Sequence, residues 1–394
     1  MEEDIVIVSA VRTPMGGLLG CFKEVSAVEL GQAALSEAMA RVPFAAEKID
    51  EVIMGCVLSA GQGQAPARQV ALGAGLPVTT DCLTINKMCG SGMKAIMLAC
   101  QALSWGEHAV VAAGGMESMS NAPYLIPKAR AGLRLGHGQI CDHLVMDGLE
   151  DAYQKGQLMG VFAETCAKQY CFSRADQDEF ALASLLRTQQ AIKEGAFAKE
   201  IATVKVKTKQ GVVEIREDEQ PLKLKKEKIP LLKPAFLKEG TVTAANSSSI
   251  SDGAACLILT TRSHAAALGW KPLAKVVNFA THSQAPEWFT TAPVGAIRAL
   301  LHKTKWRLEE VDLFEINEAF AVVAMTAMKE LNIPHEKLNI HGGACVLGHP
   351  IGASGARIVV TLLYALQKYH LKRGVAALCI GGGEATALAI ELEE

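Results

Sequence analysis

The chain repeats itself at long range, and this restricts its fold more than any other feature. Ile49-Asp50-Glu51-Val52-Ile53-Met54-Gly55 reads as a helix end followed by a short buried strand, and Val311-Asp312-Leu313-Phe314-Glu315-Ile316-Asn317 has the same pattern. Downstream of each lies a Ser-Gly pair opening an apolar helix, Ser91-Gly92-Met93-Lys94-Ala95 and Ser354-Gly355-Ala356-Arg357-Ile358. Asp50 precedes Ser91 by 41 positions and Asp312 precedes Ser354 by 42. A third match follows each helix: Ala109-Val110-Val111-Ala112-Ala113-Gly114-Gly115 parallels Val375-Ala376-Ala377-Leu378-Cys379-Ile380-Gly381-Gly382. Both are wholly apolar runs ending in glycines, as expected of strands buried on two faces. Such strands alternating with amphipathic helices signal α/β units on mixed or parallel sheets. Two copies predict two similar sheets packed around shared buried helices.

A chain of 394 residues, 50% hydrophobic, is ample for a large core and for two or three domains or subdomains. A formal charge of −2 and 5% aromatic residues give no polyanion-binding or base-stacking surface, so no nucleic-acid partner is expected. The 11 cysteines are odd in number and scattered without a Cys-x-x-Cys pair, which fits neither a disulfide framework nor a metal site. Cys166 and Cys171 read as buried free thiols within a helix. Met1-Glu2-Glu3-Asp4 leading into Ile5-Val6-Ile7-Val8 does not make a secretory signal. No stretch approaches the roughly 20 apolar residues of a membrane span, and Glu391-Leu392-Glu393-Glu394 carries no lipidation or retrieval tag. A cytoplasmic protein without a membrane partner is the expectation.

The middle of the chain, from about Ser120 to Ser249, is richer in charge and irregular. Ser173-Arg174-Ala175-Asp176 looks like a helix N-cap, with the helix running to about Glu194-Gly195. Six lysines (223, 225, 226, 228, 233, 238) read as a solvated loop rather than a phosphate clamp. An insertion this long between two repeats often shapes a binding site.

Chemistry concentrates in four segments. In Asn86-Lys87-Met88-Cys89-Gly90-Ser91-Gly92 a thiol precedes a helix start, where orphan N–H groups and the positive end of the macrodipole favour thiolate, the nucleophilic form. A structural cysteine at a tight turn is the plainer alternative. Glu315-Ile316-Asn317-Glu318-Ala319-Phe320 sets a polar pair at the carboxyl end of a strand, where ligands gather in α/β sheets or where Asn and Glu simply satisfy loop backbone. His341 to Gly355 holds His349-Pro350 in a glycine-rich setting beside a helix start, without a P-loop or dinucleotide fingerprint. Cys379-Ile380-Gly381-Gly382-Gly383 places a second cysteine on a buried strand, which the repeat puts near the same sheet edge as Cys89. Two cysteines and one histidine at the ends of symmetric elements suggest one shared site.

These motifs, in this order and over essentially the whole length, resemble the thiolase family, nearest its biosynthetic acetyl-CoA acetyltransferases: Cys89-Gly90-Ser91-Gly92, Asn317-Glu318-Ala319-Phe320, Gly348-His349-Pro350 and Cys379-x-Gly381-Gly382-Gly383. The resemblance implies a thiolase-like α/β fold, with duplicated βαβαβαββ halves in a layered αβαβα arrangement and an inserted loop domain. The expected division is 1–119 with 250–270, a loop domain at 120–249 for CoA binding and tetramerisation, and 271–394. It implies an acyltransferase that reversibly condenses two acetyl-CoA into acetoacetyl-CoA and CoA by a ping-pong route. His349 would be the general base on the nucleophile Cys89, and Cys379 would exchange the α-carbon proton. His349 and a water held by Asn317 would meet the enolate oxygen. The backbone N–H groups of Cys89 and Gly381 would meet the tetrahedral oxyanion, each such donor typically worth roughly 3 kcal/mol.

By the same resemblance Leu149, Met159, Phe236, Ala244, Ser248, Ala319 and Phe320 would line the CoA and acyl site. Acetyl-CoA, acetoacetyl-CoA and CoA are the expected partners, with no permanently bound cofactor and no metal. A homotetramer, a dimer of dimers assembled through the region of Ala131–Gly136, is expected. The chain departs from the family at Leu158, where a histidine is usual, and at Leu222, where an arginine is frequent and Lys223 is a substitute. It also departs at Glu287–Pro293, which replaces a Met-Gly-x-Gly-Pro pattern, and at Glu384-Ala385, where Met-Gly is frequent. These leave acyl chain length open, so a degradative 3-ketoacyl-CoA thiolase acting on longer chains is the alternative. A ketoacyl synthase, with one cysteine and two histidines, and a non-catalytic acyl-CoA-binding protein fit the residues less well.

Overall fold

The computed structural model describes residues 3–393; Met1, Glu2 and Glu394, part of the terminal segments read above, lie outside the described residues. The principal strands are β1 (Ile5–Arg12), β2 (Glu51–Gly55), β3 (Asp81–Ile85), β4 (Val110–Ser118), β5 (Ser251–Thr261), β6 (Ala274–Ser283), β7 (Leu313–Ile316), β8 (Arg373–Ile380) and β9 (Glu384–Leu392). They run in the order β3-β2-β4-β5-β1-β6-β9-β8-β7, with the short strand Gly16–Gly17 paired to β5 off this path. In the first half β2 is parallel to β3 and β4, while β5 is antiparallel to β4 and β1. In the second, β7 is parallel to β8, and β9 is antiparallel to β8 and β6. Each half is thus a mixed sheet in itself, and the two join into one ten-stranded sheet. The two meet edge to edge through β1 and β6 at Val6–Lys275 and Ile7–Ala274.

The helices used below are α1 (Ala27–Ala40), α2 (Ser91–Trp105), α3 (Met159–Tyr170), α4 (Arg174–Lys193), α5 (Ala292–Thr304), α6 (Ala321–Leu331) and α7 (Ser354–Lys368). In α7 every residue from Ser354 to Leu366 is buried. A helix buried on all sides belongs inside a core, and its few polar side chains, Ser354, Arg357 and Thr361, are buried with it. There α2 and α7 share one cluster with Ile7, Val111 and Leu257 of the first sheet and Leu313, Leu378 and Leu388 of the second. The opposite face of the first sheet, through Val52, Ala112 and Ile258, packs on Leu30 and Ala34 of α1. That of the second, through Ile316, Val375 and Ala387, packs on Ile297 of α5 and Val323 of α6. Val111 facing inward beside Ala112 facing outward is the period-2 reason these strands read as continuous apolar runs. Helix, sheet, helices, sheet, helices is the layered order.

The repeat has physical causes in the structure. Asp50 accepts N–H bonds from Ala109 and Val110 at 2.8 and 3.0 Å, and Asp312 accepts them from Lys372 and Arg373 at 3.0 and 2.8 Å. In each half the aspartate before the first repeat strand thus tethers the start of the neighbouring strand. The Ser-Gly pairs mark where α2 and α7 cross. A Cβ on Gly92 would lie 2.8 Å from the Ala356 nitrogen, and one on Gly355 would lie 2.4 Å from the Met93 nitrogen. Only glycine allows backbones this close.

Two expectations need correction. Glu51 pairs with Val111 and Leu313 with Gly374, so Val111 corresponds to Gly374 and the alignment of Ala109 with Val375 is out of step. Gly114 and Gly115 lie inside β4, whereas Gly381–Gly383 form the turn between β8 and β9. The halves are also not full copies, because the counterpart of β3 is reduced to one parallel bridge, Phe314–Leu338. Asn339, at φ +46°, turns the chain away. Its carboxamide then pairs with the backbone of Ile316, accepting from N–H at 2.9 Å and donating to C=O at 2.8 Å, as a strand neighbour would.

The insertion leaves after β4 and returns into β5. It contains α3, α4 and a hairpin, Val204–Thr208 with Gly211–Ile215. Buried Arg12 of β1 anchors it, pairing with Glu200 at 2.5 Å and with Asp218 at 2.7 and 2.8 Å. Ser173 caps α4 in a reciprocal box with Asp176, as the sequence indicates. Cys166 is buried, but Cys171 is exposed, sitting past the end of α3 at φ +57°. All six lysines between 223 and 238 are exposed.

Candidate active site

Cys89 sits on a sharp elbow between β3 and α2. Met88 before it is at φ +46°, a left-handed conformation costly for a residue other than glycine. Three bonds hold the elbow: Met88 N–H to Asn86 Oδ1 (2.9 Å), Lys87 N–H to Ser91 Oγ (2.8 Å) and Ser91 Oγ–H to the Met88 carbonyl (2.7 Å). The helix begins only at Ser91, so the expected thiolate at a helix start is not the resting state. Burial pushes the Cys89 thiol up to about 11, and the N–H groups of Gly381 and of Cys89 itself pull it only partly back. Those two N–H groups both favour the thiolate, one from each half of the repeat.

His349 is 6% exposed. Gly348 before it stands at φ +102°, where a Cβ would lie 2.1 Å from Ser251 Oγ. The His349 N–H donates to the Ser249 carbonyl at 3.1 Å. His349 Nδ1 lies 2.5 Å from Ser354 Oγ, and Ser354 Oγ in turn donates its proton to the Pro350 carbonyl at 2.9 Å. A hydroxyl has one proton, so toward His349 it accepts, which places the ring proton on Nδ1. Nε2 is then a lone pair, and it is buried with no hydrogen-bond partner in the protein. Burial, and after it the charge of Arg357, hold the imidazole down at about 3, neutral and basic in form. Ser354 was legible only as a helix opener. Its equivalence to Ser91, which likewise donates to a carbonyl of the preceding turn, is the signal that marks it.

Cys379 is buried at the end of β8, its thiol raised well above the usual range first by burial and then by charge on Cys89. The two sulfurs are therefore electrostatic neighbours. Asn317 divides from Glu318. The Asn317 carboxamide lies 3.5 Å from His349 Nδ1 and 3.5 Å from buried Arg357, which faces Glu315 at 3.6 Å. Glu318 is structural, accepting from Ser184 Oγ (2.9 Å), Asn339 Nδ2 (2.8 Å) and the Cys345 N–H (3.2 Å). Among the described residues no group of three or more His, Cys, Asp or Glu side chains is placed to hold a metal ion.

The residues expected to line the substrate lie on several elements. A Cβ on Gly381 would be 3.5 Å from Met159 Sδ, which sets Met159 over the Gly381–Gly383 turn. The Phe236 ring crowds Gly160, and it packs edge-on to Phe320 at 5.9 Å. Ser248 N–H donates to the Ala319 carbonyl at 2.9 Å, and Ser247 bridges Phe320. Leu149 packs on the same cluster of Val57, Leu58 and Ile351 that Cys89 and Met88 touch. Ala244 is exposed on a turn closed by Thr243 N–H to Asn246 Oδ1 at 2.7 Å.

The departures are also placed. Phe289 is buried and meets Phe320 edge-on at 6.3 Å. Leu158 is exposed, as are Leu222 and Lys223, and Lys223 is paired with Glu219. Glu384 accepts from Lys87 Nζ at 2.7 Å.

The chain matches known proteins over almost its whole length. The model of the thiolase N-terminal domain matches residues 5–263, and that of the thiolase C-terminal domain matches residues 270–392. A probable acetyl-CoA acetyltransferase of Dictyostelium discoideum is 50% identical over 390 residues, 99% of this chain and 94% of its own. A mitochondrial acetyl-CoA acetyltransferase of Mus musculus is 47% identical over 99% of this chain and 91% of its own. The crystal structure of the Bacillus anthracis acetyl-CoA acetyltransferase superposes with TM-score 0.97 at 41% identity, covering 100% of this chain and 99% of that one. Acat5 thiolase from Ascaris suum, solved with coenzyme A, gives 0.93 at 44% identity over 99% and 100% of the two chains. The chain belongs to the thiolase family.

Proposed function

We propose that this thiolase is an acetyl-CoA C-acetyltransferase, interconverting two acetyl-CoA with acetoacetyl-CoA and CoA. One observation supports the reading: Cys89 lies within electrostatic reach of Cys379 and the Gly381 N–H of the opposite half, and the buried His349 Nε2 has no hydrogen-bond partner in the protein. The Cys89 proton passes to His349 Nε2 as sulfur attacks the thioester carbonyl, and the oxyanion develops between the N–H groups of Cys89 and Gly381. Collapse expels CoA thiolate, which takes the proton back from His349, and leaves acetyl-Cys89. In condensation, Cys379 gives its proton to His349 Nε2 and as thiolate takes an α-proton from the second acetyl-CoA; the carbanion attacks acetyl-Cys89 and expels the Cys89 thiolate, which takes the proton back from His349. In thiolysis, Cys379 as thiol gives its proton to the departing carbanion. Burial keeps that thiol protonated at rest, which suits the donor role. His349, with a water on Asn317, holds the enolate oxygen.

Acetyl-CoA, acetoacetyl-CoA and CoA would lie along Leu149, Met159, Phe236, Ala244, Ser248, Ala319 and Phe320. The loop domain at 120–249 would provide the CoA-binding part of this surface. The buried rings of Phe289 and Phe320 favour a short acyl chain over the longer ones of a degradative enzyme. Exposed Leu133, Leu135 and Ile140 support assembly into a homotetramer through the loop domain. The 11 free cysteines support a reducing, cytoplasmic setting. The test is mass spectrometry of the protein after mixing with acetyl-CoA: the wild type gains one acetyl group and Cys89→Ala gains none. Acetylation of Cys89→Ala to the same extent would overturn the nucleophile.

A further inference from the structure

The two oxyanion donors hang from different halves of the molecule. The Cys89 N–H belongs to the elbow after β3, and the Gly381 N–H to the turn after β8. Their separation depends on how elbow and turn sit against each other. On the buried side the contact is apolar and tight, for a Cβ on Gly90 would lie 2.3 Å from Ile380 Cδ1. On the accessible side it is ionic: Lys87 Nζ lies 2.7 Å from Glu384 Oε2, while Ser283 Oγ donates to Glu384 Oε1 at 3.1 Å. Lys87 stands two positions before Cys89, and Glu384 three after Gly381.

The turn between has little stiffness of its own. Gly382 and Gly383, at φ +94° and +85°, are conformationally permissive. The ladder pair Ile380–Glu384 closes the ends of the turn, and the Gln284 N–H bonded to the Gly383 carbonyl at 2.8 Å and the Glu384 carboxylate hold it against its surroundings. We infer that the Lys87–Glu384 ion pair is a positioning device that clamps the Gly381 turn to the Cys89 elbow and so sets the spacing of the two oxyanion N–H groups. The inference rests on the acyl-transfer reading above. The pair keeps 22% and 35% side-chain exposure. Accessible pairs add little to folding stability, so neutralising one partner leaves the fold intact. Oxyanion stabilisation, by contrast, is steep in donor position, and small displacements cost rate rather than affinity.

The test uses the full chain as Lys87→Met, Glu384→Gln and the charge-swapped double variant Lys87→Glu/Glu384→Lys. Two readouts are taken: thiolysis of acetoacetyl-CoA by CoA, and acetylation of Cys89 by acetyl-CoA followed by mass. Each single variant is expected to lose about tenfold in kcat with KM within about twofold and an unchanged melting transition, and the double variant to recover most of the loss. Singles with wild-type kcat, or a double variant no better than the singles, overturn the positioning role while wild-type acetylation leaves the chemistry standing. A wild-type protein that never acetylates Cys89 overturns the acyl-transfer reading and this inference with it.

Discussion

Ser354 Oγ sits 2.5 Å from His349 Nδ1 while spending its only proton on the Pro350 carbonyl, so it fixes the tautomer of a buried imidazole five residues before it. The tether is short because the same helix start that provides the hydroxyl is packed into the core against α2.

Removing the hydroxyl should therefore cost rate more than affinity. Ser354→Ala is expected to lower kcat for acetoacetyl-CoA thiolysis by roughly 10- to 100-fold, because half of the base's orientation is lost. KM should change little. Steady-state kinetics decides, and an unchanged kcat would remove Ser354 from the account.

The pH profile follows from the same burial. With His349 held at about 3 and Cys89 raised to about 11, the reactive pair of neutral base and neutral thiol persists across the whole neutral range. kcat/KM for acetylation of the enzyme by acetyl-CoA should be flat from about pH 6 to 9, since it reports the free enzyme's groups. A single inflection near the ordinary histidine value of 6.5 would contradict this.

Stability carries a separate signature. His341 is lowered from 6.5 to about 4, chiefly by burial, and its Nε2 lies 3.3 Å from Tyr369 Oη. A folded-state value below the unfolded one means that the unfolded chain binds more protons between them, so the contribution is intact above 6.5 and is lost as pH falls toward 4. The stability advantage of the wild type over His341→Gln should shrink over that window. Chemical denaturation at several pH values measures it, and a pH-independent difference would refute the assignment.

The helix crossing at the centre tolerates no side-chain carbon. Gly92→Ala should destabilise the protein by about 1–3 kcal/mol, as overpacking of a core does. Gly355→Ala should behave alike, since each Cβ meets the other helix's backbone rather than a movable side-chain end. Urea unfolding would reveal it; wild-type stability in both variants would show that the helices can separate freely.

Much of this architecture was readable in the letters because its causes are local. Asp50 and Asp312, the two Ser-Gly pairs and the apolar strands each perform in one half what they perform in the other, so the repeat in sequence is a repeat of physical roles. The register of the third match slipped because composition alone does not separate glycines inside a strand, Gly114 and Gly115, from glycines that turn between strands. The missing counterpart of β3 was hidden because Asn339 replaces a strand by a side chain, and no periodicity records that. At the site, the types of the reactive residues were plain, but the protonation of Cys89 was not. Its level is set by burial under the opposite half, which no window around the cysteine contains. Lys87 and Glu384, nearly 300 positions apart, meet only in three dimensions.

The central claim is that Cys89 and Cys379 do different jobs in one crevice. The most direct measurement is a Cys379→Ser variant mixed with acetyl-CoA, with acetyl-enzyme followed by mass and acetoacetyl-CoA by absorbance. The account predicts that Cys89 is still acetylated at close to the wild-type rate while acetoacetyl-CoA formation falls by at least about 100-fold. If acetylation and condensation instead fell together by the same factor, the division of labour between the two sulfurs would be wrong.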